Sequence, residues 1–270
     1  MWSRFFVSAY FFWILNIPLQ GQQIYYVSHL GDLYLADLAT CDTVLIWDMP
    51  DSLQLGADDL TSAPDGYMYI LNSTSNSELY RVDTATNFVE HVITVCVAPN
   101  CSNINGMTAD YQGNIYMAGN RLYVYNIYSQ SFEDKGPFPA GISSAGDLTF
   151  RNDSLIMSAK YGKIVLVDID SPQNSEVLFT YSTTETGYHF FGITTLFYNC
   201  DSLLTVASTP LNDYYLLDFQ THTIHPYDCE ILASNTGLTT AWEWQASGCD
   251  MTLSLDADGS SLVWGWGSEG

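Results

Sequence analysis

The chain carries 30 Asp and Glu residues against only 7 Lys and Arg, so acid chemistry is the first to consider. Asp58, Asp59 and Asp147 stand directly before two similar apolar-threonine pairs, Leu60-Thr61 and Leu148-Thr149. Two carboxyl groups flanking a glycosidic bond, one protonated and one ionised, are the working apparatus of most glycoside hydrolases. Gathered at one place, these acids would suit hydrolysis of a carbohydrate. A second kind of chemistry lies in the segment YSTTETGYHFF, where Tyr188 and His189 adjoin Gly187 with Glu185 nearby. Aromatic faces of that kind stack on sugars or anchor a protein partner.

Other chemistry finds less support. The five histidines are His29, His91, His189, His222 and His225, and only the last two are close, in a turn and strand rather than on one helical face. No Gly-x-Ser-x-Gly elbow, HExxH pair or glycine-rich phosphate loop occurs. Asp256, Asp258 and Ser260 have the alternate-oxygen spacing of a calcium loop, but Gly259 is misplaced for one and no bidentate acid follows. A solvated turn is the better reading, and the sequence assigns no metal, no cofactor and no catalytic residue. The six cysteines suit an oxidising compartment. Cys96 and Cys101 are near neighbours and form a local candidate pair, while Cys41 and Cys249 form a second. Cys200 and Cys229 are left over, and strand counting puts them on opposite faces.

The elements that would position these residues follow from a repeat. One landmark is an apolar residue followed by threonine, at Thr61, Thr108, Thr149, Thr194 and Thr239. The other is an apolar run ending in Asp or Asn: LYLAD at Asp37, LYRVD at Asp83, LYVYN at Asn126, IVLVD at Asp168 and YYLLD at Asp218. The two alternate strictly, with a mean repeat of about 44 residues. Each repeat holds four short segments rich in β-branched and aromatic residues, separated by turn chemistry, with no sustained helical spacing. Four antiparallel strands recurring at 40 to 45 residues are a propeller blade. The phase predicts five blades over residues 22–247, the ring closed by a C-terminal inner strand added to N-terminal strands. The five Asp and Asn landmarks then begin turns, where their side chains accept hydrogen bonds from backbone two residues on.

Composition narrows the partners. A formal net charge of −23 repels phosphate backbones and anionic headgroups, which excludes nucleic acid and polybasic membrane recruitment. With 14% aromatic residues the chain can pack a core. Residues 1–21 read as a secretory signal: Arg4, then an apolar run from Phe5 to Leu15, then Pro18 and the small Gly21. The run is too short for a membrane span. The expected organisation is a signal over 1–21, a propeller over 22–247, and over 248–270 either a tail or the start of a further module. The mature chain is expected to be secreted or at the cell surface, without membrane insertion, and monomeric. Long connections at 48–59, 95–105, 136–145, 181–191 and 229–236 share one face, whereas the opposite face has tight turns such as Asp65-Gly66. Binding residues concentrate on long loops carried by a rigid scaffold.

The pattern of Gly-x-Thr, a turn, GNIY and LYVYN, clearest from Gly106 to Asn126, resembles the repeat-built β-propeller regions of large bacterial secreted or cell-surface proteins. That resemblance implies a fold and a compartment and transfers no catalytic residue. The preferred expectation is a non-catalytic module binding extracellular protein or glycan. The alternative is a carbohydrate-active hydrolase working through Asp58, Asp59 and Asp147.

Overall fold

In a computed structural model the chain forms five four-stranded antiparallel blades around one axis, a five-bladed β-propeller. The structure describes residues 23–28, 32–38, 40–49, 57–73, 76–97, 104–198, 202–211, 213–227, 235–239, 253–255 and 262–264. The signal over 1–21, the loop ends at 50–56, 98–103 and 228–234, and the calcium-like turn at Asp256 and Asp258 lie outside them.

Three strands open the chain: β1 (Gln23–Ser28), β2 (Leu33–Asp37) and β3 (Thr43–Trp47). The next blade is β4 (Ala57–Ser62), β5 (Met68–Asn72), β6 (Ser77–Asp83) and β7 (Phe88–Cys96). It is followed by β8 (Gly106–Ala109), β9 (Asn114–Ala118), β10 (Arg121–Asn126) and β11 (Ser131–Pro137). Then come β12 (Ser144–Arg151), β13 (Ser154–Ala159), β14 (Lys163–Val167) and β15 (Glu176–Thr180). The last complete blade is β16 (Gly192–Tyr198), β17 (Ser202–Ser208), β18 (Tyr214–Asp218) and β19 (Thr223–Tyr227). β20 (Asn235–Thr239) then pairs antiparallel with β1, Leu238 opposite Tyr26, and completes the first blade. Closure leaves no inner edge for another chain to extend. A short hairpin, β21 (Leu253–Leu255) with β22 (Leu262–Trp264), follows the ring.

Packing explains the strand composition. Second strands such as Met68–Asn72 and Ser154–Ala159 are buried on both faces between neighbouring blades, hence their near-continuous buried runs, whereas third strands are only partly covered. The core is accordingly five inter-blade layers rather than one centre. Leu79, Met107, Ile115 and Met117 meet in one of them, and Met157, Val165, Leu122 and Phe138 in the next. Outermost strands are largely exposed, Phe88 and Phe132 included.

The antiparallel order gives the ring two faces. First-to-second and third-to-fourth turns emerge on one, here called the turn face. Second-to-third turns and the blade-to-blade loops emerge on the other, the loop face. On the turn face the landmark acids behave as the sequence expects. Asp83 Oδ1 accepts from Ala85 N at 3.0 Å, Asn126 Oδ1 from Tyr128 N at 3.1 Å, Asp168 Oδ1 from Asp170 N at 3.1 Å and Asp218 Oδ1 from Gln220 N at 2.8 Å. Asp37 closes its turn one residue further on, accepting from Thr40 N at 3.3 Å. Among the described residues no helix is long and apolar enough to cross a membrane. Neither Cys41 nor Cys96 is a free thiol, and the pairings expected with Cys249 and Cys101 fall outside the described residues.

Candidate functional site

The three candidate acids separate. A bulge lies between Ala57 and Asp59 in β4 and another between Ser144 and Asp147 in β12, so that Asp58 falls out of register while Asp59 pairs with Leu71 and Asp147 with Ser158. Bulges re-aim side chains, and here they turn Asp59 and Asp147 onto the axis, both fully buried. Asp58, inside the β4 bulge, points elsewhere: its Oδ2 accepts from Ser73 N at 3.0 Å and from the Ser73 hydroxyl.

At the axis the two carboxyl groups collect the inward N–H of all five inner strands. Asp59 Oδ1 accepts from Leu60 N at 2.8 Å and Oδ2 from Met107 N at 2.5 Å. Asp147 Oδ1 accepts from Leu148 N at 2.6 Å, and its Oδ2 from Ile193 N at 2.8 Å and Leu238 N at 3.0 Å. The two carboxyls also hydrogen-bond each other. Burial pushes both acids well above the usual carboxylate range, and the Asp147 charge raises Asp59 further. Backbone donors from Ile193, Leu238 and Leu148 pull Asp147 the other way. Both acids are thus held toward the protonated form, Asp147 opposed by three backbone N–H groups and Asp59 by two.

The remaining inner strands carry glycine at the same level, Gly106, Gly192 and Gly237. A Cβ at Gly237 would lie 1.9 Å from Asp59 Oδ1, so the glycine is the space the acid fills. Two residues further along every inner strand stands threonine. Thr61, Thr108, Thr149, Thr194 and Thr239 line a small axial cavity of about 30 Å³, room for a water molecule. The axis is thus blocked by the acid pair, with no carboxyl oxygen turned to solvent. Among the described residues no cluster of His, Cys, Asp and Glu is placed to hold a metal ion.

The loop at 181–191 is built differently. After β15 a single helical turn, α1 (Thr183–Thr186), ends at Gly187, whose φ is +76°. Phe190 is fully buried, stacked on Tyr181 at 4.2 Å, and its N–H donates to the Tyr181 hydroxyl at 2.8 Å. Its carbonyl accepts from the Ser158 hydroxyl at 2.7 Å. Those contacts anchor the loop, leaving Glu185 exposed, Tyr188 46% exposed and His189 half-buried. His189 reaches across to the second-to-third turn of the same blade, where its Nδ1 accepts from Tyr161 N at 3.2 Å. The Tyr161 ring lies edge-on to it at 5.9 Å.

Tyr161 is the residue that sequence reasoning passed over. It is 72% exposed, and its φ of 65°, followed by 66° at Gly162, makes a turn with both central residues left-handed. Such turns favour Asn, Asp or Gly at the first position, and a bulky side chain there is strained. The signal was Lys160-Tyr161-Gly162-Lys163: an aromatic where the backbone asks for Asn, between two of the few cations of the chain.

Comparisons with known proteins reach the fold. No protein-family model matches the chain, and no curated protein does. Among solved structures, a chain of a nidogen/laminin complex superposes with TM-score 0.52 at 9% identity, over 80% of this chain and 97% of that one. A Bacteroides thetaiotaomicron protein of unknown function gives 0.56 at 10% identity, over 82% of this chain. An auxiliary nutrient binding protein from the same organism gives 0.55 at 10% identity, over 83%. This chain spans 62% of the length of each of these two Bacteroides chains. What they share with it is the propeller.

Proposed function

We propose that the protein is a secreted or cell-surface propeller that binds an extracellular protein or glycan through its loop face and performs no catalysis. The observation that carries this reading is the contrast between the candidate sites. Asp59 and Asp147 have zero exposure and spend their oxygens on backbone N–H groups, whereas Tyr188 and Tyr161 stand in solvent on anchored backbone. A glycosidase acid must reach the leaving oxygen and its partner the sugar ring. Sealed carboxyls reach neither. The likeness to a structure described as an auxiliary nutrient binding protein agrees with a binding role. The expected export signal supports the compartment, the propeller is taken as residues 22–247, and the ring without an open inner edge supports a monomer.

The test pairs two assays on the full chain: binding to arrays of glycans and extracellular proteins, and turnover of a broad panel of glycosides. The expected result is saturable binding with no turnover. Glycoside hydrolysis that disappears in Asp147→Asn would overturn the reading in favour of the hydrolase.

A further inference from the structure

The charge on the loop face deepens the reading of a binding module, and the inference drawn from it rests on that reading. Among the described residues three cations are neutralised: Arg81 pairs with Glu90, Arg121 with Asp134 at 2.8 Å and Lys135 with Glu133 at 3.0 Å, while Arg151 lies over the Phe219 ring at 4.7 Å. Lys160 and Lys163, like Arg151, have no carboxylate partner among the described residues, but only these two stand together in one turn. Lys163 Nζ is held at 2.7 Å by the Gly141 carbonyl, which orients the ammonium without neutralising it. Both lysines flank Tyr161 on the face that carries Tyr188 and His189. Because His189 Nδ1 accepts the Tyr161 N–H, the imidazole is neutral with its proton on Nε2, a donor left for a ligand. Strain at Tyr161 has no packing purpose, since the ring lies in solvent, and strained backbone of this kind concentrates at binding sites.

We propose that Tyr161, Tyr188, His189, Lys160 and Lys163 form a subsite for an acidic saccharide of the uronate type. The Tyr161 ring provides the flat surface for a pyranose face, the lysine ammonium groups take its carboxylate, and His189 Nε2–H donates to a hydroxyl. A saccharide fits better than a protein segment because the groups offered are ammonium, imidazole and phenol, with exposed Glu185 and Thr184 on the same loop as Tyr188, rather than the desolvated apolar anchors of a protein hot spot. A sparsely charged uronate fits better than a densely sulfated chain. Two lysines offset few charges, and further anions would meet Glu185 and a chain of net charge −23.

The probes are a short oligogalacturonate, the same oligosaccharide with its carboxyls reduced, a heparin-derived oligosaccharide and an oligo-glutamate peptide, titrated into the full chain at low salt. The oligogalacturonate is expected to bind at least fivefold tighter than its reduced form, and the preference to vanish in the Lys160→Gln/Lys163→Gln variant. Tyr161→Asn is expected to weaken binding at least tenfold with an unchanged or raised melting temperature, since Asn tolerates the left-handed turn. That combination separates a binding role from a merely structural one. Equal affinity for the acidic and reduced forms overturns the anionic subsite and leaves the binding module standing. Tighter binding of the peptide or of the sulfated chain overturns the uronate assignment, and unaltered binding by Tyr161→Asn overturns the location. A chain that binds nothing through the loop face sinks both the uronate subsite and the binding module beneath it.

Discussion

On the turn face Asp and Asn side chains cap the turns in repeat after repeat, whereas on the loop face the blades differ, and one of them carries Tyr161 between two lysines. Asp83, Asn126, Asp168 and Asp218 stand where a side-chain oxygen caps the turn, and Gly66 and Gly113 stand where φ is +84° and +79°. Asn87, Asn152 and Asp153 take left-handed positions that suit their types, while Cys41, Gln130 and His222 take them against preference. On the loop face Tyr161 occupies a left-handed position against preference, and two lysines accompany it without acid partners among the described residues. What sets Tyr161 apart from Cys41, Gln130 and His222, which share its left-handed φ, is its company: His189 bonded to its N–H and a lysine on either side of the turn. The axis separates the two faces, and its acid pair belongs with the scaffold: backbone donors account for the placement of every carboxyl oxygen.

The largest expected effect comes from breaking that seal. Asp147→Ala removes the acceptor for Leu148, Ile193 and Leu238 N–H, which belong to three blades. An orphaned buried donor costs about 1–3 kcal/mol, so the loss is several kcal/mol and the melting temperature should fall by roughly 10 °C or more. Asp58→Ala releases only the contacts to Ser73 and should cost much less. Equal melting temperatures for the two variants would mean that the axial pair is no keystone.

The next effect is one of pH, and here the two regions have opposite signs. Asp59 titrates near 3.8 when unfolded, and burial beside Asp147 raises it in the fold. The folded state therefore keeps a proton that the unfolded chain has released. The stability contributed by the pair is complete below about pH 3.8 and declines as pH rises toward the raised value, by about 1.4 kcal/mol per pH unit for one proton. Asp83 and Asp218 on the turn face are lowered, first by the hydroxyls of Thr86 and Thr221. Their contribution is present above pH 3.8 and is lost as pH falls through the lowered values. Asp59→Asn isolates the axial part: the amide donates to Asp147 but gives up one acceptor oxygen, a penalty independent of pH. In urea denaturation from pH 4 to pH 8 the variant should gain steadily on the parent chain. Parallel curves would show that no proton is held at the axis.

Much of the fold is legible in the sequence because repetition makes local chemistry visible. Ten landmarks in strict alternation define blades, and their phase alone places β20 beside β1. Turn capping by Asp83 and Asp218 is equally local, needing only the residues just after each acid. The fate of Asp59 and Asp147 is not local. They are 88 positions apart, and only ring geometry brings them into one hydrogen-bonded pair. The glycines at 106, 192 and 237 are visible as part of the repeat, yet their reason, room for the acid pair at Gly237 above all, is tertiary. Tyr161 escapes notice for a different cause. Lys160-Tyr161-Gly162-Lys163 is an ordinary turn by composition, and its conflict appears only with the positive φ.

The smallest effect on stability should accompany the clearest effect on binding, and a mirror pair of substitutions exposes it. Tyr188 is 46% exposed, and among the described residues its hydrogen bond is through the backbone, where its carbonyl accepts from the Thr186 hydroxyl at 2.7 Å. Tyr188→Ala keeps that bond and removes only the exposed ring. Binding of a loop-face ligand should weaken at least fivefold, about 1 kcal/mol, with the melting temperature nearly unchanged. Gly66→Ala on the turn face is the converse. A Cβ there meets nothing within 4 Å, so the cost is the left-handed strain alone, about 1 kcal/mol, or roughly 2–4 °C in a domain of this size. Ligand affinity should not move. The crossed pattern, stability lost on one face and affinity on the other, is what a scaffold face and a working face require. Binding unaltered by Tyr188→Ala, or weakened equally by Gly66→Ala, would assign the ligand to the wrong side of the ring.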